Sequence, residues 1–188
     1  MKLIKVGLAS IIAAGALYAG TYNIDASHSN VGFKVKHLMI SNVRGNFEKF
    51  SGSFEYDEKS GKIKSIDGTV VVDSINTNNA KRDAHLKNAD FFDAEKYPNI
   101  TFKVDKIEGE KAYGKLTMRG VTKDVVFEVE KTGAVTDPWG NQKVGLEIEG
   151  EINRKDYGLN WNKALETGGV VVGEKVEINV ELEGVLAK

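Results

Sequence analysis

Apolar side chains recur with a period of two along most of the chain, in the columns Val31, Phe33, Val35; Phe50, Phe54, Tyr56; Ile66, Val70, Val72; and Ile100, Phe102, Val104. The pattern continues through Leu116, Met118; Val125, Phe127, Val129; Val144, Leu146, Ile148, Ile152; and Val176, Ile178, Val180, Leu182. Positions between them are mostly Lys, Glu, Asp, Gly or Ser, as half-buried antiparallel strands require. Turn signals such as Lys59-Ser60-Gly61, Glu108-Gly109-Glu110 and Arg119-Gly120 separate the columns. Eight or more strands follow, in an all-β sandwich or barrel.

One stretch breaks the alternation. Ala80 to Asn88 is rich in helix formers, with Asn78 or Asn79 available as a cap and Asp83 spaced from Lys87 for a helical ion pair. A short helix is expected there, followed by an irregular Phe91-Phe92 segment that ends at Tyr97-Pro98. On that helix Asp83 and His85 point away from each other and cannot share a metal.

Composition narrows the setting. Lys2 and Lys5 precede an apolar run from Val6 to Leu17 that ends in small residues, the layout of a secretory signal. The run is too short to span a bilayer. The expected division is a signal peptide over 1–19, with cleavage after Ala19 or, less well placed, after Ala16, and one domain over 20–188. The localisation that follows is the periplasm or the space outside the cell. About 169 residues can bury a core without staples, so the absence of cysteine is physically reasonable. Without Lys2 and Lys5, 24 basic residues face 27 acidic ones, a net charge of −3 with both signs mixed. Nothing in that pattern attracts nucleic acid or an anionic membrane surface.

Candidate chemistry is sparse. The three histidines, His28, His37 and His85, stand in no metal-ligand or nucleophile spacing, so neither a metal site nor catalytic residues are expected. Asp25-Ala26-Ser27-His28-Ser29 holds the ingredients of a hydrolase triad, but its side chains are better placed to bond the backbone of a turn. His37 shares parity with Val35 and is expected to face inward at a strand end. An eight-stranded barrel is wide enough either to fill with its own side chains or to hold one small ligand, and parity does not choose between them.

Ordered motifs carry more. His28-Ser29-Asn30-Val31-Gly32-Phe33-Lys34-Val35-Lys36-His37-Leu38, Arg44-Gly45-Asn46-Phe47, Arg82-Asp83-Ala84-His85-Leu86, Phe91-Phe92-Asp93 and Tyr97-Pro98-Asn99-Ile100-Thr101-Phe102 follow one another. Gly114-Lys115-Leu116-Thr117-Met118-Arg119-Gly120-Val121-Thr122-Lys123, Asp137-Pro138-Trp139-Gly140 and Asn153-Arg154-Lys155-Asp156-Tyr157-Gly158-Leu159 complete the series. Across nearly the whole mature chain it closely resembles the YceI-like family of periplasmic polyisoprenoid-binding proteins. Tyr157 stands where Phe is usual, and Asp124 where many relatives carry Pro.

The resemblance implies an antiparallel, lipocalin-like eight-stranded barrel with an apolar cavity and a short capping helix, commonly dimeric. The implied partner is a long-chain isoprenoid, a quinone or polyprenyl phosphate, or another amphipathic lipid. No other cofactor is implied, and the family has no firmly assigned reaction. Within such a tunnel, Phe33, Val35, Phe102, Met118, Phe127, Leu146, Trp161 and Ile178 are the expected ligand contacts. Arg82, His85 and Arg154 are expected as polar anchors of the cap or as head-group contacts, with anchoring the preferred role. The competing readings are an enzyme acting on such a lipid through His28 or His85, and a ligand-free interaction module.

Overall fold

The computed structural model describes residues 19–166 and 168–188, so the expected signal segment lies, apart from Ala19, outside the described residues. Eleven strands and one helix follow in chain order: β1 (Gly20–Ile24), β2 (Asn30–His37), β3 (Ser41–Phe47), β4 (Phe50–Asp57), β5 (Lys62–Val71), β6 (Ile75–Asn76), α1 (Ala80–Lys87), β7 (Asn99–Glu108), β8 (Lys111–Met118), β9 (Val121–Thr136), β10 (Gln142–Asn153) and β11 (Val172–Leu186). All pairings are antiparallel, and the order β1-β4-β5-β7-β8-β9-β10-β11 closes where β11 pairs with β1. The result is an eight-stranded barrel.

The three additional strands lengthen it. β11 pairs with β1 through Tyr22↔Leu186 at one end and with β2 through Val31↔Val180 at the other, so β1 and β2 are two halves of one wall. A single 3-10 turn, Ala26–His28, joins them, and Asp25 caps it by accepting a hydrogen bond from the Ser27 N–H. β3 and β4 likewise run on from each other, β3 pairing with β2 and β4 with β1. The alternating columns anticipated β2, β4, β5 and β7 to β11. The polar β3 and the short β1 and β6 carried no such signal, and Val72 closes β5 in a 3-10 turn instead of extending the strand.

Helix α1 starts where expected, with Asn79 as its cap accepting from the Arg82 N–H. The anticipated Asp83–Lys87 pair does not form. Asp83 Oδ1 turns back to accept from the Thr77 N–H (2.9 Å) and hydroxyl, while Lys87 Nζ meets Asp73 at 3.3 Å. A charge-assisted bond to a half-buried backbone donor outweighs an exposed i,i+4 pair.

Packing divides the interior along the barrel axis. At the end bearing the β4–β5, β7–β8 and β9–β10 hairpins, here called the foot, Tyr22, Phe54, Tyr56, Val104, Ala112, Val129, Val144 and Leu146 are all buried. Tyr22 and Phe54 stack in parallel at 5.5 Å, and Tyr56 meets Tyr22 edge-on at 5.8 Å. Gly184 makes room for this plug, because a Cβ there would stand 2.4 Å from the Phe54 ring. The Tyr22 hydroxyl reaches out to Glu58 Oε1 at 2.8 Å. The other end of the barrel is built differently.

Candidate ligand-binding site

Beyond the foot the barrel is hollow. A cavity of about 190 Å³ runs between the sheet walls, and among the described residues its lining carries no polar side chain apart from Ser51, Thr69 and Arg154. The strand parity read from the sequence explains which residues reach it. Phe33, Val35, Phe102, Met118, Phe127 and Ile178 all lie on its wall. Phe102 and Phe127 pack against each other at 5.2 Å. Gly150 gives the Phe127 ring its place, since a Cβ there would stand 2.1 Å from it.

Two of the expected contacts sit elsewhere. Leu146 faces inward but belongs to the foot and, unlike its register partner Leu182, does not line the cavity. Alternation determines the face of a strand, not the height along the barrel at which packing gives way to space. Trp161 does not line the cavity either. It lies at the mouth, in a second hollow of about 490 Å³ that shares Phe33, Val35, Leu86, Phe91 and Val172 with the cavity wall.

The cap is made by residues 77–98 together with the segment that follows β10. Leu86, Phe91 and Phe92 point from it into the cavity. Phe92 meets Phe47 edge-on at 6.1 Å, and Phe91 lies 5.3 Å from Trp161. The stretch expected to cross the barrel does so. Arg119, at the β8–β9 turn, fastens both parts by donating to the carbonyls of Ala89 (2.8 Å, from Nη2) and Gly158.

The polar candidates divide by role. Arg82 Nε donates to Thr77 Oγ1 and Nη2 to the Thr77 carbonyl, each at 2.7 Å, which ties the helix to the end of β6. His85 is held edge-on between Phe91 and Trp161, with both centroids 5.0 Å away, and its Nε2 lies 3.0 Å from Asp90 Oδ2. Arg154 is buried, 3% exposed, and donates from Nε to the Gly173 carbonyl (2.8 Å), from Nη2 to that of Val172 (3.3 Å) and from Nη1 to that of Leu159. Burial pulls its guanidinium pKa below the ordinary value. Neighbouring Tyr157 is 2% exposed, and burial followed by the Asp156 charge pushes its phenol up to about 12.

His28 lies outside the barrel. Its Nδ1 faces both Asp25 Oδ2 (2.9 Å) and Ser27 Oγ (3.2 Å). A relay needs the carboxylate and the nucleophile on opposite ring nitrogens, so these three side chains are not a hydrolytic triad. Hydrogen bonds from Ser27 and then His28 hold the Asp25 carboxyl down at about 2. The histidine spacing gave no hint that Glu183 also approaches His28 Nδ1, at 3.6 Å. Asp25, His28 and Glu183 bring one ligand atom each within 4.8 Å of one another. The eclipsed i,i+3 geometry of a 3-10 turn was the available signal for the first two, while Glu183 arrives from β11. Lys143 Nζ already neutralises Glu183 at 2.6 Å.

The sequence did not point to Lys36, Lys81 and Asn79 as mouth residues; they share the second hollow with Arg82, His85 and His37, whose strand parity had placed it facing inward at a strand end. Among the described residues, no helix is long and apolar enough to cross a membrane.

Comparison with known proteins places this architecture. Residues 22–184 match the family described as the YceI-like domain. A UPF0312 protein of Staphylococcus aureus (strain N315) is 39% identical over 163 residues, covering 86% of this chain and 95% of its own. The crystal structure of a Campylobacter jejuni YCEI protein is similar at a TM-score of 0.72 and 37% identity, over 87% of this chain and 96% of that one. A Saccharophagus degradans domain described as polyisoprenoid binding shares the fold at a TM-score of 0.64 and 16% identity, over 88% of this chain and 98% of that one.

Proposed function

The chain belongs to the YceI-like family, and from that premise we propose that it is a binding or carrier protein for a long-chain lipid, a polyisoprenoid or similar amphiphile, held inside the barrel without chemical conversion. The observation that carries this reading is the apolar cavity of about 190 Å³ that begins above a filled foot and ends under a cap. A cavity with so few polar side chains has nothing with which to activate a substrate, but it removes an alkyl or prenyl tail from water. Burying on the order of 500 Å² of tail at about 25 cal/mol per Å² yields roughly 12 kcal/mol gross. Association costs about 4 to 15 kcal/mol of that. The tail therefore provides affinity, and tails of similar length compete for the same space.

The polyisoprenoid-binding description of the Saccharophagus degradans domain agrees with this reading, and so does the resemblance of the motifs. We place the protein in the periplasm on the strength of its N-terminal pattern. The alternative of an enzyme working through His28 is disfavoured because that residue is outside the barrel. His85 is pinned between two aromatic rings and paired with Asp90.

The test is gentle purification followed by organic extraction and mass spectrometry. A long-chain lipid recovered at close to one per protein is expected. Recovery of none, together with no uptake of added prenyl lipid by the extracted protein, would leave the interaction-module reading in its place.

A further inference from the structure

The charged residues of the two hollows are all of one sign. Among the described residues, Arg154 is the only charged side chain on the cavity wall, and Lys36, Lys81 and Arg82 line the mouth with His37 and His85. Among the described residues no Asp or Glu appears in either lining, although the mature chain as a whole is acidic, with 24 basic against 27 acidic residues. The single-sign lining is therefore local, and a recessed hollow with low-dielectric walls focuses its field.

Arg154 sharpens the point. It is 3% exposed, and among the described residues no carboxylate comes within 4.0 Å of it. Its three hydrogen bonds go to neutral carbonyls, which leaves two of the five guanidinium N–H donors uncommitted. Glu174 acts on Arg154 through space without touching it, and a buried cation whose direct contacts are all neutral dipoles is costly unless an anion joins it. Arg82 adds to the same field. Its partners are the hydroxyl and carbonyl of Thr77, and its charge is likewise met by no carboxylate within salt-bridge distance.

We propose that the lipid held by this barrel is an anion, with its tail in the apolar cavity and an acidic head group, phosphate or carboxylate, at the cap end between Arg154 and the cluster Lys36, Lys81, Arg82. This rests on the tunnel reading above and adds to it the chemistry of the head. A neutral prenol or quinone fits the cavity but leaves the cations unmatched.

The experiment compares geranylgeranyl phosphate with geranylgeraniol on delipidated protein by calorimetry, with inorganic phosphate as a third probe. The phosphate ester should bind at least about tenfold more tightly than the alcohol, as a charge-assisted contact in a recessed site provides. That ratio should shrink as salt is raised from about 0.05 to 0.5 M. A Lys36→Gln/Lys81→Gln double variant, altered only at exposed side chains, should lower the ratio. Arg154→Lys should lower it too, provided its unfolding midpoint shows that the three carbonyls are still held. Equal affinity for ester and alcohol overturns the head-group assignment while leaving the tunnel standing. Binding of neither overturns both. Inorganic phosphate alone binding as tightly as the ester would make the mouth a free-anion site and also overturn the proposal.

Discussion

The foot and the hollow body of this barrel are made from the same strands with the same alternation, yet one is solid and the other open. β10 shows the change within a single element: Val144 and Leu146 are packed in the foot, and further along Ile148 and Ile152 line the cavity. The difference lies in what stands opposite. Three aromatic rings from β1 and β4 fill the foot across Gly184, while the wall beyond the Ala26–His28 turn carries Val31 and Phe33, which stop short of the far side. Solid and hollow are therefore properties of facing sets of residues, and no single strand encodes them.

Truncation breaks the comparison most severely. Phe54→Ala should cost about 3 to 5 kcal/mol in urea unfolding, because the ring it removes is enclosed on all sides. Phe102→Ala, on the cavity wall, should cost clearly less, since part of that ring already faces space. Equal losses would show the body to be as tightly packed as the foot.

Enlargement probes the same contrast from the other side. Leu146→Trp should lower stability by about 1 to 3 kcal/mol through overpacking. Ile178→Trp should leave the lipid-free protein within about 1 kcal/mol of wild type, and long-chain lipid should then bind far more weakly. A destabilised Ile178→Trp that still takes up lipid normally would mean that the ligand does not pass Ile178.

A smaller effect is expected at the cap. Amide exchange over 77–98 should slow by about tenfold when the barrel is loaded with lipid, while the foot strands, already protected, change little. Identical exchange with and without ligand would make the cap a fixed element instead of a gate.

The smallest effect concerns the joint between the two regions. Asp25 caps the turn between β1 and β2, and its folded pKa of about 2 lies below its ordinary value. A carboxyl so depressed stabilises the fold above its unfolded pKa of roughly 3.9, and that contribution is lost as pH falls toward 2. Asp25→Asn should flatten the stability profile in that window and leave neutral-pH lipid binding intact. An Asp25 carboxyl signal titrating near 4 by NMR would remove the basis for this expectation.

Much of this was legible in the chain itself. Alternation identified eight of the strands and the inward side of each, and the break at Ala80 identified the helix and narrowed its cap to Asn78 or Asn79. What local pattern could not carry was height and partnership. Leu146 has the right parity at the wrong level, and Trp161 sits beyond the cavity it was expected to line. Arg154 and Arg82 spend their donors on carbonyls and a hydroxyl brought near by folding, and Lys36, of outward parity, reaches the mouth only because the wall ends there. The Asp83–Lys87 spacing was sound for an isolated helix and lost to Thr77, a residue outside it.

β11 holds a further consequence, one of order in time. It is the last strand among the described residues, and both β1 and β2, the first two, find their partner in it. No barrel can close until the C-terminal residues are present, so the decisive contacts are among the most distant in sequence, a topology that folds slowly, on the scale of milliseconds to seconds. Until then the edges of β1, β2 and β10 stand bare and open to pairing with other chains. A nascent copy is thus held unfolded by its own connectivity for as long as its tail is missing, and a chain that ends before Val172 would be a template for aggregation instead of a smaller barrel.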